Sequence, residues 1–189
     1  MSDFRERKRR LVHLAFGGVA FLVPLLGRAG SITLAAAALL YNVLLAPTFG
    51  WDRGYRRAGE PRWAGIGTYP LAVLLLLCVA PLQIAMAAWG VLAVGDPAAA
   101  AVGKRWSSPS LPWNANKTWL GSLAAAVGGT LAAGVFLLYA GTTGGFGAVL
   151  GPAAAAGLAG ALAESLPWPV DDNLPMAGAA AAAMVLGGA

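Results

Sequence analysis

Seven apolar runs, each close to the thickness of a bilayer, follow one another along this chain and leave all its charge but Asp96 in the gaps between them and at the chain's start. A helix needs about 20 mostly apolar residues to cross the hydrocarbon layer, or about 17 when short. Backbone in lipid must also satisfy its own hydrogen bonds, so runs of this kind fold as helices. They cover residues 11–27, 31–47, 64–80, 82–102, 119–140, 147–163 and 174–188. The expected fold is all-α: one polytopic transmembrane bundle of about seven helices over residues 1–189, with a basic segment at 1–10 and loops at 48–63, 104–118 and 164–173. Charged residues are 11% of the chain, against roughly 25% in soluble domains, which excludes an ordinary soluble enzyme.

Short loops rich in lysine and arginine stay in the cytoplasm. With seven alternating spans, all basic residues but Arg28 fall on the side of the amino terminus, and the eight acids map to that face or just below it. The amino terminus is therefore expected in the cytoplasm, with the chemistry on the cytoplasmic face of the cell inner membrane. A net charge of +5 suits anionic headgroups, and no motif for nucleic acid accompanies it. Cys78 stands alone inside a run, which rules out an intrachain disulfide and suggests packing.

Five groups of residues exceed what a scaffold needs. Asp96 lies about seven residues, or roughly 10 Å, inside the expected end of the fourth span. A carboxylate at that depth costs several kcal/mol unless it is paired or binds a cation. Ala100 and Gly103, one and two turns on, leave its helix face bare enough for a bulky polar ligand. Lys117 precedes the fifth span, where Asn116 or Thr118 would cap a helix whose free N–H groups and dipole favour phosphate, with Gly121 one turn in.

Asp171, Asp172 and Asn173, with Glu164 before them, supply more oxygen ligands than capping requires, and carboxylates hold Mg²⁺ beside substrate phosphates. Glu60 and Arg62 sit just before the third span, and His13, the single histidine, near the inner end of the first. Each has a plainer reading as well: a buried acid paired with arginine, a capped helix with a snorkelling lysine, or a topology determinant. The stripe Gly121, Ala125, Gly129 and Ala133 reads as close helix packing.

The strings GDPAAAAVGKRW at 95–106, NKTWLGSLA at 116–124 and ALAESLPWPVDDNLP at 161–175, preceded by RKRRLVH at 7–13 and GEPRWAGIGTYPL at 59–71, are joined in one order. This set resembles the CTP-dependent lipid alcohol kinases, namely dolichol, phytol and related diacylglycerol kinases, a family similar to phosphatidate cytidylyltransferase. The resemblance implies transfer of the γ-phosphoryl group of CTP to the hydroxyl of a membrane lipid, with Mg²⁺ as cofactor. It would make Asp96, Asp171 and Asp172 contacts to Mg²⁺ and phosphate, and Lys117 a contact to the triphosphate. Two positions depart from it: the family often has an acid where Leu120 stands and a second glycine where Ser107 or Ser108 stands.

The expected site is therefore Asp96, Asp171 and Asp172 for the metal, and Lys117, Gly103, Lys104, Arg105, Asn116, Thr118, Gly121 and Asn173 for the nucleotide. His13, Glu60 and Glu164 are the catalytic candidates, with the proton acceptor open between a carboxylate and His13. Expected partners are CTP, a lipid alcohol and bilayer lipids, without nucleic acid; pairing of two copies as a homodimer stays open. A synthase transferring a cytidylyl group uses a similar cradle, and a carrier would instead place ionisable groups at the midplane or on both faces.

Overall fold

The computed structural model describes residues 2–50, 66–169 and 171–188, with side chains from Arg10 onward. Among the described residues it is an all-helical membrane protein apart from one short hairpin. Helix α1 (Ser2–Gly18) runs through a 3₁₀ turn (Val19–Leu22) into α2 (Val23–Leu40). At Gly27 the backbone takes φ 64° and ψ −180°, a conformation open to glycine almost alone. The helical path breaks there and the chain turns back: His13 lies beside Tyr69 at the start of α4 (Thr68–Val79), Arg28 donates to the carbonyls of Leu77 and Ala80 at its end, and Tyr41 and Asn42 line one cavity with His13 and Tyr69 again. Those carbonyls belong to the last turn of α4 and the residue that follows it, so the basic residue at this end of the bundle caps a helix.

A π turn (Tyr41–Leu45) leads into α3 (Ala46–Thr48), and a second (Val91–Gly95) joins α5 (Leu82–Gly90) to α6 (Asp96–Arg105). Each π turn stands directly before a helix with proline at its second position, Pro47 and Pro97. Proline has no N–H to give the carbonyl four residues back and its ring collides with it, so the helix widens by one residue.

Among the described residues, four helical segments are long and apolar enough to cross a membrane: Arg10–Thr48, which contains the Gly27 break, Leu82–Arg105, Trp119–Tyr139 and Phe146–Ser165. The expected spans at 64–80 and 174–188 appear as the shorter helices α4 and α9 (Asn173–Leu186). At 12 and 14 residues these rise about 18 and 21 Å.

Segment α5–α6 is the buried axis of the bundle, with Ala87, Ala88, Val91 and Leu92 closed off from the surface. Around it, α7 (Trp119–Tyr139) and α8 (Phe146–Ser165) follow the inverted pattern of membrane packing. Small residues face inward, including all four of the expected stripe, Gly121, Ala125, Gly129 and Ala133. Leu123, Leu131 and Leu138 face outward, where acyl chains would lie. The crossing is tight at Gly157, where a Cβ would stand 2.5 Å from the Thr130 amide nitrogen and 2.7 Å from the Ala126 carbonyl oxygen. Cys78, expected to pack inside, is exposed on the flank of α4.

The 104–118 segment is more ordered than a loop. Strand β1 (Ser110–Leu111) pairs antiparallel with β2 (Asn114–Thr118) across a turn with Pro112 at its second position. Trp113 Nε1 donates to Ser165 Oγ and Asn114 Nδ2 to the Ser165 carbonyl, each at 3.2 Å, tying the hairpin to the end of α8. This tie carries Lys117, on β2, to Glu164.

Candidate active site

At the end of the bundle where α6 stops and α7 starts, a cavity of about 240 Å³ is walled by α1, α6, β2, α7, α8 and the approach to α9. His13, Asp96, Gly103, Lys104, Asn116, Lys117, Thr118, Gly121, Glu164, Asp171, Asp172 and Asn173 all line it. Those positions span the chain from its first helix to its last. Arg105 does not join them: nine residues beyond Asp96 is two and a half helical turns, which puts it on the opposite face, against the Trp106 ring at 5.6 Å. Glu60 and Arg62 lie outside the described residues.

Asp96 opens α6 directly after the π turn and is 8% exposed. Its Oδ2 stands 3.3 Å from His13 Nδ1, within ion-pair range but not aligned as a hydrogen bond. The Tyr69 ring packs on the imidazole with centroids 4.3 Å apart, and the Tyr69 hydroxyl accepts from Trp89 Nε1 at 2.9 Å. Tyr69 and Trp89 had no signal in the sequence beyond being aromatic residues in apolar runs.

Lys117 Nζ donates to Glu164 Oε1 and, at 2.7 Å, to Asp172 Oδ2. Burial works against its charge, and the carboxylates of Asp172 and Glu164 outweigh that, holding its pKa above the ordinary lysine value. Asp172 occupies the N-cap position of α9 without capping it, because its side chain goes to Lys117 instead. Asp171 shapes the backbone at this helix start. Its Oδ1 accepts from the Asn173 N–H at 3.0 Å, and Asn173 Nδ2 donates to Thr68 Oγ1 at 3.0 Å. Burial first, and then the neighbouring charge of Asp172, hold the Asp171 carboxyl above the usual range.

One oxygen each from Asp96, Glu164 and Asp172 can be drawn from a group lying within 4.8 Å of one another. Ligand oxygens around one Mg²⁺, at bonds of about 2.1 Å, sit roughly 3–4 Å apart, so small side-chain adjustments complete the set. Glu164 Oε2 is buried and has no hydrogen-bond partner, a costly state for a carboxylate and one a cation would relieve. The residues present thus fit a hard divalent cation, with Glu164 in the place expected for Asp171. Sequence spacing could not separate the two, since adjacent Asp171 and Asp172 look equivalent until Asn173 and Lys117 tell them apart.

Thr118 caps α7, as one of the two expected residues, but the helix start does not offer the free N–H groups expected for phosphate. Thr118 Oγ1 accepts from the Gly121 N–H, Ser108 Oγ from the Leu120 N–H, and the Pro109 carbonyl from the Trp119 N–H. These amides are engaged within the protein, so the cavity presents side chains rather than a bare helix terminus. The two positions that depart from the family pattern meet here, Ser108 supplying the cap at Leu120. Gly103 and Gly121 also serve packing: a Cβ on either would press on Thr118 Oγ1 at about 3.0 Å, with the other glycine's Cα close behind. Ser122, one residue further, lines the cavity with a buried hydroxyl that has no partner.

A second cavity, of about 350 Å³ and almost wholly apolar, lies between the two arms that meet at Gly27. His13 lines both cavities.

No protein-family model matches the chain, and no solved structure matches it. Among curated proteins it is 29% identical over 95% of its length to a probable phytol kinase 1, chloroplastic, of Oryza sativa subsp. japonica. A probable phytol kinase, chloroplastic, of Zea mays is 27% identical over 90% of the chain, and a probable phytol kinase 2, chloroplastic, of Oryza sativa subsp. japonica is 30% identical over 71%. The chain spans 64%, 63% and 49% of the length of these three proteins. The similarity to these phytol kinase homologues runs through nearly the whole chain and takes in the five motifs in order.

Proposed function

We propose that the protein is an integral membrane kinase that moves the γ-phosphoryl group of CTP to the hydroxyl of a lipid alcohol, releasing CDP. The observation that carries this reading is the placement of His13. It stands between a polar cavity rich in carboxylates and lysine and an apolar cavity open along the bundle, where a lipid alcohol would meet a nucleotide.

Asp96, Glu164 and Asp172 would hold Mg²⁺, with Asp171 and Asn173 fixing the backbone that presents Asp172. The chemistry a bound divalent cation supplies here is neutralisation of charge on phosphate oxygens during in-line transfer. Lys117, which now bridges Glu164 and Asp172, would turn its ammonium to the triphosphate once those carboxylates served a cation. Lys104 and Asn116 flank it on the cavity wall. His13 accepts the hydroxyl proton of the lipid, with the Asp96 carboxylate 3.3 Å from its Nδ1 stabilising the imidazolium that forms. The basic residues gathered at the Lys117 end favour the cytoplasmic side for this site, in a cell membrane.

The test is incubation of purified protein with γ-labelled CTP, Mg²⁺ and phytol. Label in the lipid, lost with EDTA and with Asp96→Asn, supports the proposal. Label confined to pyrophosphate, with a lipid phosphate as acceptor, would indicate cytidylyl transfer instead, and label in lipid only with γ-labelled ATP would overturn CTP as the donor.

A further inference from the structure

We infer that the Ser122 hydroxyl is a hydrogen-bond donor to the phosphate chain of the nucleotide. This rests on the kinase reading and adds to it a neutral donor inside the span, where the charged residues do not reach. Ser122 is the fourth residue of α7 and lines the carboxylate cavity, yet its Oγ is closed to solvent and has no partner. A serine within a helix ordinarily points its hydroxyl to water or turns it back to the carbonyl four residues earlier, here that of Thr118. Ser122 does neither, and a buried hydroxyl left unpaired weakens the fold.

What the hydroxyl faces follows from the packing of α7. Gly121 meets Gly103 and Ala99 of α6, and Ser122, about 100° further round the helix, turns toward α8. On that side Gly134 lies against Ala153, and Gly157 against Thr130 and Ala126, so the two helices run antiparallel. One turn back from Ala126 is Ser122, and one turn on from Gly157 is Ala161, with Glu164 following at the cavity wall. Glu164 Oε2 is buried and unpartnered as well. A donor and an acceptor thus share this wall without bonding to each other. A phosphate oxygen beside a cation suits both, since it accepts from the hydroxyl while the cation takes the carboxylate.

A polyphosphate needs donors, and many in this cavity are already spent. The N–H groups of Trp119, Leu120 and Gly121 are engaged, Asn173 Nδ2 goes to Thr68, and Lys117 lies between two carboxylates. Ser122 Oγ has none of these claims on it.

Two measurements on the purified, detergent-solubilised protein test this. First, CTP and inorganic tripolyphosphate are titrated calorimetrically into wild type and Ser122→Ala, with Mg²⁺ and without lipid. The substitution should weaken both ligands by the same factor, about tenfold or more, and leave Mg²⁺ binding without nucleotide unchanged. Unchanged affinity for both overturns the contact and leaves the kinase reading standing. A loss for CTP alone moves the contact to the base or ribose, and a loss of Mg²⁺ affinity makes Ser122 a metal ligand; either overturns the proposal.

Second, Tm is compared without ligand. Ser122→Ala removes an unpaired hydroxyl and installs a stronger helix former, so Tm should rise by about 2 °C or more while binding falls. A hydroxyl that serves the fold, directly or through a buried water, would lower Tm on removal, and that result overturns the proposal. If wild type binds tripolyphosphate and CTP but phosphorylates no lipid alcohol with any nucleotide, the kinase reading has failed and the titrations still decide the Ser122 contact. If wild type binds neither ligand, both fall.

Discussion

Lys117 and Asp172 are 55 residues apart in the chain and joined at 2.7 Å, with Glu164 on the other side of the same ammonium. The lysine thus occupies the ground between two carboxylates that also belong to the oxygen cluster around Asp96. A divalent cation bound by those carboxylates would compete with this ammonium for the same charge, so its binding would release Lys117.

Replacing Lys117 with methionine separates the two roles. Without the ammonium, Glu164 and Asp172 repel each other and gain more from a cation, so divalent metal binding without nucleotide should strengthen, by about tenfold for each 1.4 kcal/mol recovered. Turnover should fall by about 10²-fold or more, because the triphosphate loses its positive contact. Isothermal titration with Mg²⁺ or Mn²⁺ beside a turnover assay reads both. Unchanged or weaker metal binding would show that Lys117 does not contest the carboxylates.

Asp96→Asn keeps the volume of the side chain and removes its charge from beside His13 and the cluster. Metal binding should weaken by about 10- to 100-fold and turnover by at least as much. Circular dichroism should be unchanged, since Asp96 lies at the end of the π turn that Pro97 produces and does not hold the helix together. Full metal affinity in this variant would remove Asp96 from the ligand set.

The transmembrane bundle and the convergence of Asp96, Lys117 and the 164–173 acids were legible because both follow from one-dimensional facts. Apolar runs must become helices in lipid, and alternate runs end on the same side. What stayed hidden depends on who reaches whom. Arg105 looks like a partner of Lys104 until helical phase turns it away. Asp171 and Asp172 look interchangeable until Asn173, itself held by Thr68, takes the first and Lys117 the second. The β1–β2 hairpin is built from residues of weak strand propensity and exists because Trp113 and Asn114 find Ser165, a contact no local pattern encodes.

Asp171 gives a pH-dependent stability. Burial and then the Asp172 charge raise its folded pKa above the ordinary 3.8, so the folded state favours the protonated form. The sign follows: the penalty is absent at pH below the ordinary value and grows as pH rises through the raised one. Asp171→Asn keeps an acceptor for the Asn173 N–H and removes the charge. In metal-free protein it should therefore raise Tm at pH 7, by about 2 °C or more, and leave it unchanged near pH 3. A thermal unfolding series across pH, with chelator present, measures this; a gain that persists at pH 3 would assign the effect to something other than the carboxylate.

Gly27 tests the hairpin that shapes the apolar cleft. A Cβ at this position meets nothing within 4 Å, so space is not the constraint. The constraint is the backbone, because φ 64° with ψ −180° is a region L-residues with a side chain rarely enter. Gly27→Ala should cost about 1–3 kcal/mol, or a fall in Tm of about 2–10 °C for a chain of this size. The strain lies at the turn end of the cleft, some 20 Å along the helix from His13. Its effect should therefore appear in the KM for a long-tailed alcohol, while the affinity of the carboxylate cluster for metal stays as in wild type. A variant with full stability would mean the arms close without the glycine conformation. One that lost metal binding as well would mean that the hairpin carries the polar site and not only the cleft beside it.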